Sequence, residues 1–298
     1  TPPAPPPPAW AAGQRRRCVV TMNAEGEYQE FFQRVRLEVR QRLDMRWEVA
    51  SVDDGVAMID ATVEGFVYSN VARPGQGPPR WELSYDPAVE ADADAPFAAL
   101  LGAPLRLRLE VATGQVLEVA GLDEAQARIL ERARAQQGGD EAEEEPGGWG
   151  GRGRGRQSPY RVPLLSERHA LREALNGGLF VLPPPLDPPP GVWSRRREPE
   201  VAGPYWPQGV HADVQVLRGA RGALTWTGAR TGSFRPTYLG PDAQGTVERH
   251  IRGEATLTPA GDRVTRAAFR ETWATSLQGR PEIGMRATYE VEVAVFDE

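Results

Sequence analysis

The sequence contains no lysine, so all 35 of its basic residues are arginine. GC-rich coding explains this bias without any function. Arginine makes bidentate contacts to phosphate and carboxylate better than lysine does, but the spacing of these arginines forms no such motif. There is one cysteine, Cys18, which excludes an intramolecular disulfide and a cysteine-based zinc cluster. It lies in the strand-like run Arg17-Cys18-Val19-Val20-Thr21 with no histidine nearby to activate it, the context of a buried, inert thiol. No run approaches the roughly 18 to 20 apolar residues of a spanning helix. No Gly-x-Ser-x-Gly elbow occurs, and a phosphate-binding glycine loop ending in lysine is impossible. The net charge of -6 lacks the basic footprint of a general nucleic-acid binder.

What is present is a chain of 298 residues, 40% hydrophobic and 26% charged, long enough for two modest domains or one large β-rich one. It opens with TPPAPPPPAW, an extended polyproline-type tether, and is expected to be a mature form whose signal peptide has been removed. The clearest pattern follows at Val35, Leu37, Val39, Leu43, Met45, Trp47 and Val49, which alternate with Arg, Glu and Asp as in a half-buried strand. Such a strand is unusually long, so either the chain bends around Arg40-Gln41-Arg42 or the sheet is strongly curved. Asp53-Asp54-Gly55 is a hairpin turn leading to a return strand from Val56 to Tyr68. A second hairpin runs from Leu105 to Val111, turns at Thr113-Gly114 and returns through Val116 to Val119.

Leu122 to Gln136 carries a helical stripe at Leu122, Ala125, Ile129, Leu130 and Ala133, with Asp123 and Glu124 in its first turn. A second helix is signalled by Ser166 as N-cap, by Ala170, Leu171, Ala174 and Leu175 on one face, and by Gly177 at its end. Prolines 183–185 and 188–190 exclude helix and central strand. β patterns resume at Val210, Ala212, Val214 and Val216, then at Ile251, Ala255 and Leu257, and finally over Met285, Ala287, Tyr289, Val291, Val293 and Val295. The division is a Pro-rich tether at 1–13, a first β-rich half at 14–137 ending in a helix, a Gly/Arg/Glu-rich linker at 138–158, and a second β-rich half at 159–298 that opens with a helix and a Pro-rich segment. The halves share an order of elements, as after an internal duplication. The expected fold is mainly β (α+β): long antiparallel strands in a curved sheet or half-barrel, with about two helices between the halves.

The segments Pro96 to Gly102, the Leu-Glu-Val-Ala-Thr-Gly-Gln-Val-Leu-Glu-Val-Ala-Gly run ending at Gly121, Leu122-Asp123, Val52 to Gly55, Trp81 to Asp86, and Leu179 to Pro183 leading to Gly191-Val192-Trp193 resemble an uncharacterised family of bacterial exported, lipoprotein-like proteins. The resemblance extends over most of Gln14 to Phe296. It implies a β-rich fold and export, and carries no catalytic residue or ligand, because none is established for that family. The Pro-rich stretch and the Arg/Glu/Gly-rich linker depart from the family pattern. The expected half-barrel architecture also resembles that of periplasmic lipoprotein carriers.

Candidate sites are sparse. The Gly/Arg stretch 147–156 looks like an RNA-binding segment, but the acidic run before it repels phosphate and a solvated linker accounts for it. His169 with Glu173, His211 with Asp213, and Glu248 with His250 are candidate metal pairs, each short of the three or four ligands a site needs. The tryptophans are more suggestive, as an aromatic lining. Phe180, Leu182, Trp193, Leu171, Leu175 and Ile129 are the candidate residues of an apolar cleft between helices and sheet. The expectation is a non-catalytic exported protein of the periplasm or cell envelope that binds a lipid or other apolar ligand in that cleft, with an envelope protein as a candidate partner. The alternatives are a structural or protein-interaction scaffold of the envelope and a hydrolase with an unrecognised site. No cofactor, metal, nucleic-acid partner or transmembrane segment is expected.

Overall fold

In the computed structural model, which describes residues 10–30, 33–75, 77–79, 81–89, 95–136, 164–182, 191–197, 212–219, 223–234, 245–259, 261–277 and 280–298, the long alternation is one unbroken strand. Val35, Leu37, Val39, Leu43, Met45, Trp47 and Val49 are buried, while Arg34, Arg36, Arg40, Arg42, Arg46 and Glu48 are exposed on the other face. Gln41 completes the buried series. It is 2% exposed, and its Oε1 accepts a hydrogen bond from the backbone N–H of Leu165 at 2.7 Å. Pairing with both neighbouring strands is regular through Arg40-Gln41-Arg42, so curvature of the sheet accommodates the length.

The described elements are, in chain order, β1 (Arg15–Glu30), β2 (Gln33–Asp53), β3 (Val56–Pro74), β4 (Trp81–Tyr85), a 3-10 helix (Pro96–Leu100), β5 (Pro104–Glu110), β6 (Gln115–Ala120), α1 (Leu122–Gln136), α2 (Arg168–Leu179), β7 (Val192–Arg197), β8 (Ala212–Arg218), β9 (Ala223–Phe234), β10 (Gly245–Leu257), β11 (Val264–Leu277) and β12 (Arg280–Asp297). At about 3.3 Å per residue, β2 alone approaches 70 Å. All strands join one curved, unclosed antiparallel sheet in the order β6-β5-β3-β2-β1-β12-β11-β10-β9-β8-β7, with β4 beside the far part of β3. The first and last strands therefore lie together in the middle. β1 pairs with β2 on one side and with β12 on the other, so both halves of the sequence build one sheet and one hydrophobic core.

Turn chemistry fixes the ends. Asp54 (φ 49°) and Gly55 (φ 77°) both take positive φ, as a two-residue type I′ hairpin turn requires. Opposite Asp44, β3 holds an extra residue, and Glu64 and Gly65 fall between buried Val63 and buried Phe66. That bulge lets the apolar face of β3 continue past a break in strict alternation.

The helices differ in detail from the sequence expectation. In α1, Leu122, Ala125, Ile129 and Ala133 are buried, but Leu130 is exposed, because one residue along a helix turns the side chain by about 100°. Helix α2 begins after Glu167, not at Ser166, and its N-cap makes no side-chain hydrogen bond. It continues through Gly177 and Gly178 to Leu179. Tight packing against the sheet, not helix propensity, sustains this last turn: a Cβ on Gly178 would sit 3.0 Å from Val293 Cγ2 and 3.1 Å from Ala267 Cβ. Trp10, read as part of the tether, is buried against Trp47 at 6.5 Å between ring centroids, with the Arg16 guanidinium 4.1 Å above its ring. The linker 138–158, the Pro-rich stretch 183–190 and His211 lie outside the described residues.

The alternation of β2 makes a testable statement. Leu37→Asp places an unpaired charge in the core and should destabilise the fold by several kcal/mol. Arg36→Gln removes only exposed ion pairs to Glu25 and Glu38 and should cost no more than about 0.5 to 1 kcal/mol. Denaturant titration of the two variants checks this, and equal losses would show that β2 does not bury the face assigned to it.

Candidate functional site

The concave face of the sheet is organised by α2. The Asn176 side chain treats the free edge of β6 as a neighbouring strand would: its Oδ1 accepts from Val116 N–H at 2.7 Å and its Nδ2 donates to Val116 O at 3.0 Å. Arg172 donates to Leu117 O at 2.7 Å. Gly114, in the β5–β6 turn with φ 76°, lies so close to α2 that a Cβ there would approach Leu179 O to 2.3 Å. The helix thus satisfies edge backbone groups that would otherwise be open to pairing. From β6 it crosses to β11 and β12 and touches β1.

Beneath α2 the apolar face carries ionised groups. Arg249 stands at an inward position of β10, between buried Val247 and Ile251. Its Nε donates to Glu271 of β11, its second nitrogen lies 3.6 Å from Glu173 of α2, and its guanidinium sits 4.7 Å from the Trp273 ring centroid. A buried arginine is tolerable only with such partners. Tyr289 is opposite Glu271 in the register. Burial first, then the carboxylates of Glu271 and Glu173, push its phenol well above the usual range. Cys18 is fully buried, and burial followed by Asp44 raises its thiol likewise, which fits an inert side chain.

One transverse row of the concave face is rich in aromatic residues. Following the pairings from β7 to β4, it reads Trp193, Val216, Trp226, Gly253, Phe269, Val291, Met22, Gln41, Tyr68, Tyr85. Trp226 covers Gly253, where a Cβ would fall 2.4 Å from the indole. At the far end Phe97 of the 3-10 helix packs on Tyr68 and Tyr85 with centroids 5.0 and 5.7 Å away. Among the described residues, the indole N–H groups of Trp193, Trp226 and Trp47 are buried and have no hydrogen-bond partner.

The six residues expected to line an apolar cleft fall on this side of the sheet. Leu171, Leu175, Ile129, Leu182 and Trp193 are buried and Phe180 is half-buried. Phe180 and Leu182 are brought to β7: the Arg195 guanidinium lies 4.9 Å from the Phe180 ring and donates to Leu182 O at 2.5 Å. Arg195 occupies the same strand face as Trp193. Ile129 belongs instead to α1, which packs on the 3-10 helix. Sequence reasoning missed Gln41, Asn176, Arg195 and Arg249. A signal existed for two of them, since Gln41 and Arg249 are polar residues at inward positions of alternating strands.

Of the candidate metal pairs, His211 with Asp213 lies partly outside the described residues, and the other two gain no further ligand among those described. Among the described residues no group of three or more His, Cys, Asp or Glu side chains is placed to hold a metal ion. Glu173 faces Arg249, and Asp213 is 3.4 Å from Arg196. Asp213 and His250 lie on the convex face, in a hollow of about 840 Å³ also lined by Thr227, Arg252, Arg270 and Thr272.

No protein-family model matches the sequence, and no curated protein matches it. Among solved structures, the chain is similar to lipovitellin, from a study of its lipid–protein interactions, at 10% identity and a TM-score of 0.46, over 96% of this chain and 25% of that one. It spans about a quarter of the length of the lipovitellin chain. It is also similar to OccK7 (OpdD) of Pseudomonas aeruginosa, at 11% identity and a TM-score of 0.34 over 96% of this chain and 99% of that one. The translocator domain of the autotransporter NalP from Neisseria meningitidis matches at 7% identity and a TM-score of 0.22, over 96% and 90% of the two chains.

The buried phenol gives a pH dependence. An unfolded tyrosine ionises near pH 10, whereas Tyr289 in the fold holds its proton to higher pH. Above about pH 10 the unfolded state therefore binds fewer protons, and the stabilisation present below that pH is lost as pH rises towards the native value. Denaturation midpoints should fall as pH rises above about 10, and Tyr289→Phe should flatten that fall. Equal slopes for wild type and variant would show that Tyr289 is not held neutral by the core.

Proposed function

We propose that this protein binds an amphiphilic, largely apolar molecule of the lipid class on its concave face and catalyses no reaction on it. The observation that carries this reading is the aromatic row, in which Trp193 and Trp226 bury indole N–H groups that lack an acceptor among the described residues. A buried donor left unmade costs about 1 to 3 kcal/mol, and an ester or amide oxygen of a bound lipid would satisfy it while its chain packs on the rings. The main contacts of α2 are with β6, β11 and β12; the wall assigned to the ligand is the Trp193–Val216–Trp226 part of the row on β7 to β9, which is buried in the fold and must open to admit it. The residues Phe180 and Leu182, anchored by Arg195, form its rim.

Export to the cell envelope, and an envelope protein as giver or receiver of the ligand, belong to the same proposal. They are supported by the resemblance of Pro96 to Gly102, Trp81 to Asp86 and Leu179 to Pro183 to the exported, lipoprotein-like family. No helix among the described residues is long and apolar enough to cross a membrane.

Natively purified protein should release copurifying lipid-like molecules in gentle mass spectrometry. After delipidation, an environment-sensitive fatty probe should bind saturably and quench tryptophan fluorescence. The double substitution Trp193→Phe and Trp226→Phe, which keeps the rings and removes the donors, should weaken the probe about 3- to 30-fold. Ligand-free preparations together with a probe that fails to saturate would discard the carrier reading in favour of an envelope scaffold.

A further inference from the structure

The convex face is a mosaic of cross-strand ion pairs. Arg15 meets Glu48, Arg17 meets Asp44, Arg106 meets Asp60, Arg108 meets Glu118 and Arg266 meets Glu292. Arginine faces arginine across paired strands at Arg17 and Arg46, at Arg36 and Arg73, and at Arg252 and Arg270, and in the first two pairs every guanidinium also has a carboxylate partner. On β10 and β11, Arg252 is registered directly opposite Arg270, a like-charge pair with Cβ atoms about 5 Å apart that destabilises a sheet. Arg270 has a partner across the strands in Glu290 at 3.6 Å. For Arg252, no ion pair is made among the described residues, and Glu254, next along its own strand face, acts on Arg266.

This third pair coincides with the hollow. The row that holds the two arginines continues through Thr227, Gln215 and Ser194, all small or polar donors on β9, β8 and β7. The adjacent row brings His250 beside Arg252, with Thr272 opposite it. The floor is low because Ala229, beside His250 in the register, offers little bulk. Asp213, the one carboxylate of the lining, is engaged by Arg196. The hollow therefore presents two guanidinium groups, an imidazole and several hydroxyl and amide donors around a space of about 840 Å³.

We infer that this hollow is a binding site for a phosphate group, with Arg252 and Arg270 as its paired cations and His250, Thr227 and Thr272 as further donors. Two arginines held side by side are costly alone and become favourable when a doubly charged oxyanion lies between them, since guanidinium groups bind phosphate oxygens bidentately. The site is on the face opposite the lipid wall and stands or falls independently of it. The phosphate could be that of a lipid headgroup or of a soluble phosphorylated compound.

Both sources are tested with the full chain. Inorganic phosphate titrated into the protein should shift the His250 ring resonances saturably in NMR, and Arg252→Gln should weaken that binding at least about tenfold. Arg106→Gln, an exposed arginine of β5 near the other end of the sheet, should leave it unchanged, and thermal unfolding of all three proteins should agree. Sedimentation with phosphatidylcholine vesicles, with and without phosphatidylglycerol, separates the sources. Phosphate binding together with Arg252-dependent sedimentation on the anionic vesicles assigns a headgroup, and phosphate binding without sedimentation assigns a soluble phosphate. A His250 signal that does not respond to phosphate, or responds equally in the Arg252→Gln protein, overturns the inference.

Discussion

The fold depends on the pairing of β1 with β12. Residues Arg16 to Tyr28 run antiparallel to Met285 to Asp297 while the other edge of β1 pairs with β2. Without this contact the sheet would separate into β1 to β6 and β7 to β12, each exposing an edge and half of an apolar face. Charged and aromatic groups tie its end. Arg16 and Arg263 both bind Asp297, the latter through two contacts at 2.7 and 2.9 Å. Arg16 also covers Trp10, which packs on Trp47 of β2. Burial, then the neighbouring Arg263, lowers the Arg16 pKa, and Asp297 opposes both.

Joining the halves in this way sorts the two faces of one sheet. Long strands with strict alternation place every second residue inside over Val35 to Val49 of β2, Leu105 to Leu109 of β5 and Met285 to Val293 of β12, and many outward residues pair in charge across the strands. Each exposed ion pair is worth little, but together they make a convex face that does not invite apolar contact. The concave face must then find cover, and α2 supplies part of it through Asn176, Arg172 and Gly178. The polar groups it meets there, Arg249, Glu271 and Glu173, neutralise one another inside an otherwise apolar surface. The two sites we propose lie where this sorting is incomplete: at the indole donors of Trp193 and Trp226 inside, and at the facing arginines 252 and 270 outside.

Much of this order was legible in the sequence. Strict alternation marks β2 from Val35 to Val49 and β12 from Met285 to Val293 because each buries one face there, and Asp54-Gly55 marks the hairpin because positive φ needs those residues. The acidic first turn and apolar stripe of α1 fix its bounds. Legibility fails where tertiary packing overrides local signal. β9 buries Leu224 and Trp226 among threonines and glycine, so no clean alternation identifies it. α2 runs through two glycines because Val293 and Ala267 leave no room for larger residues. Of the cleft residues, Phe180, Leu182 and Trp193 do gather around one element, but Arg195, which gathers them, carries no sequence mark. The register that lines up Trp193 with Trp226, or Arg252 with Arg270, is a property of strand pairing and cannot be read from any one segment.

The central claim is that one sheet, joined at β1 and β12, holds both halves of the chain. A protease site introduced at residues 138–157, between α1 and α2, separates the halves covalently and leaves that pairing untouched. After cleavage the two fragments should co-elute in gel filtration as one species and unfold in a single cooperative transition. Two fragments that elute separately, each still folded, would contradict the account.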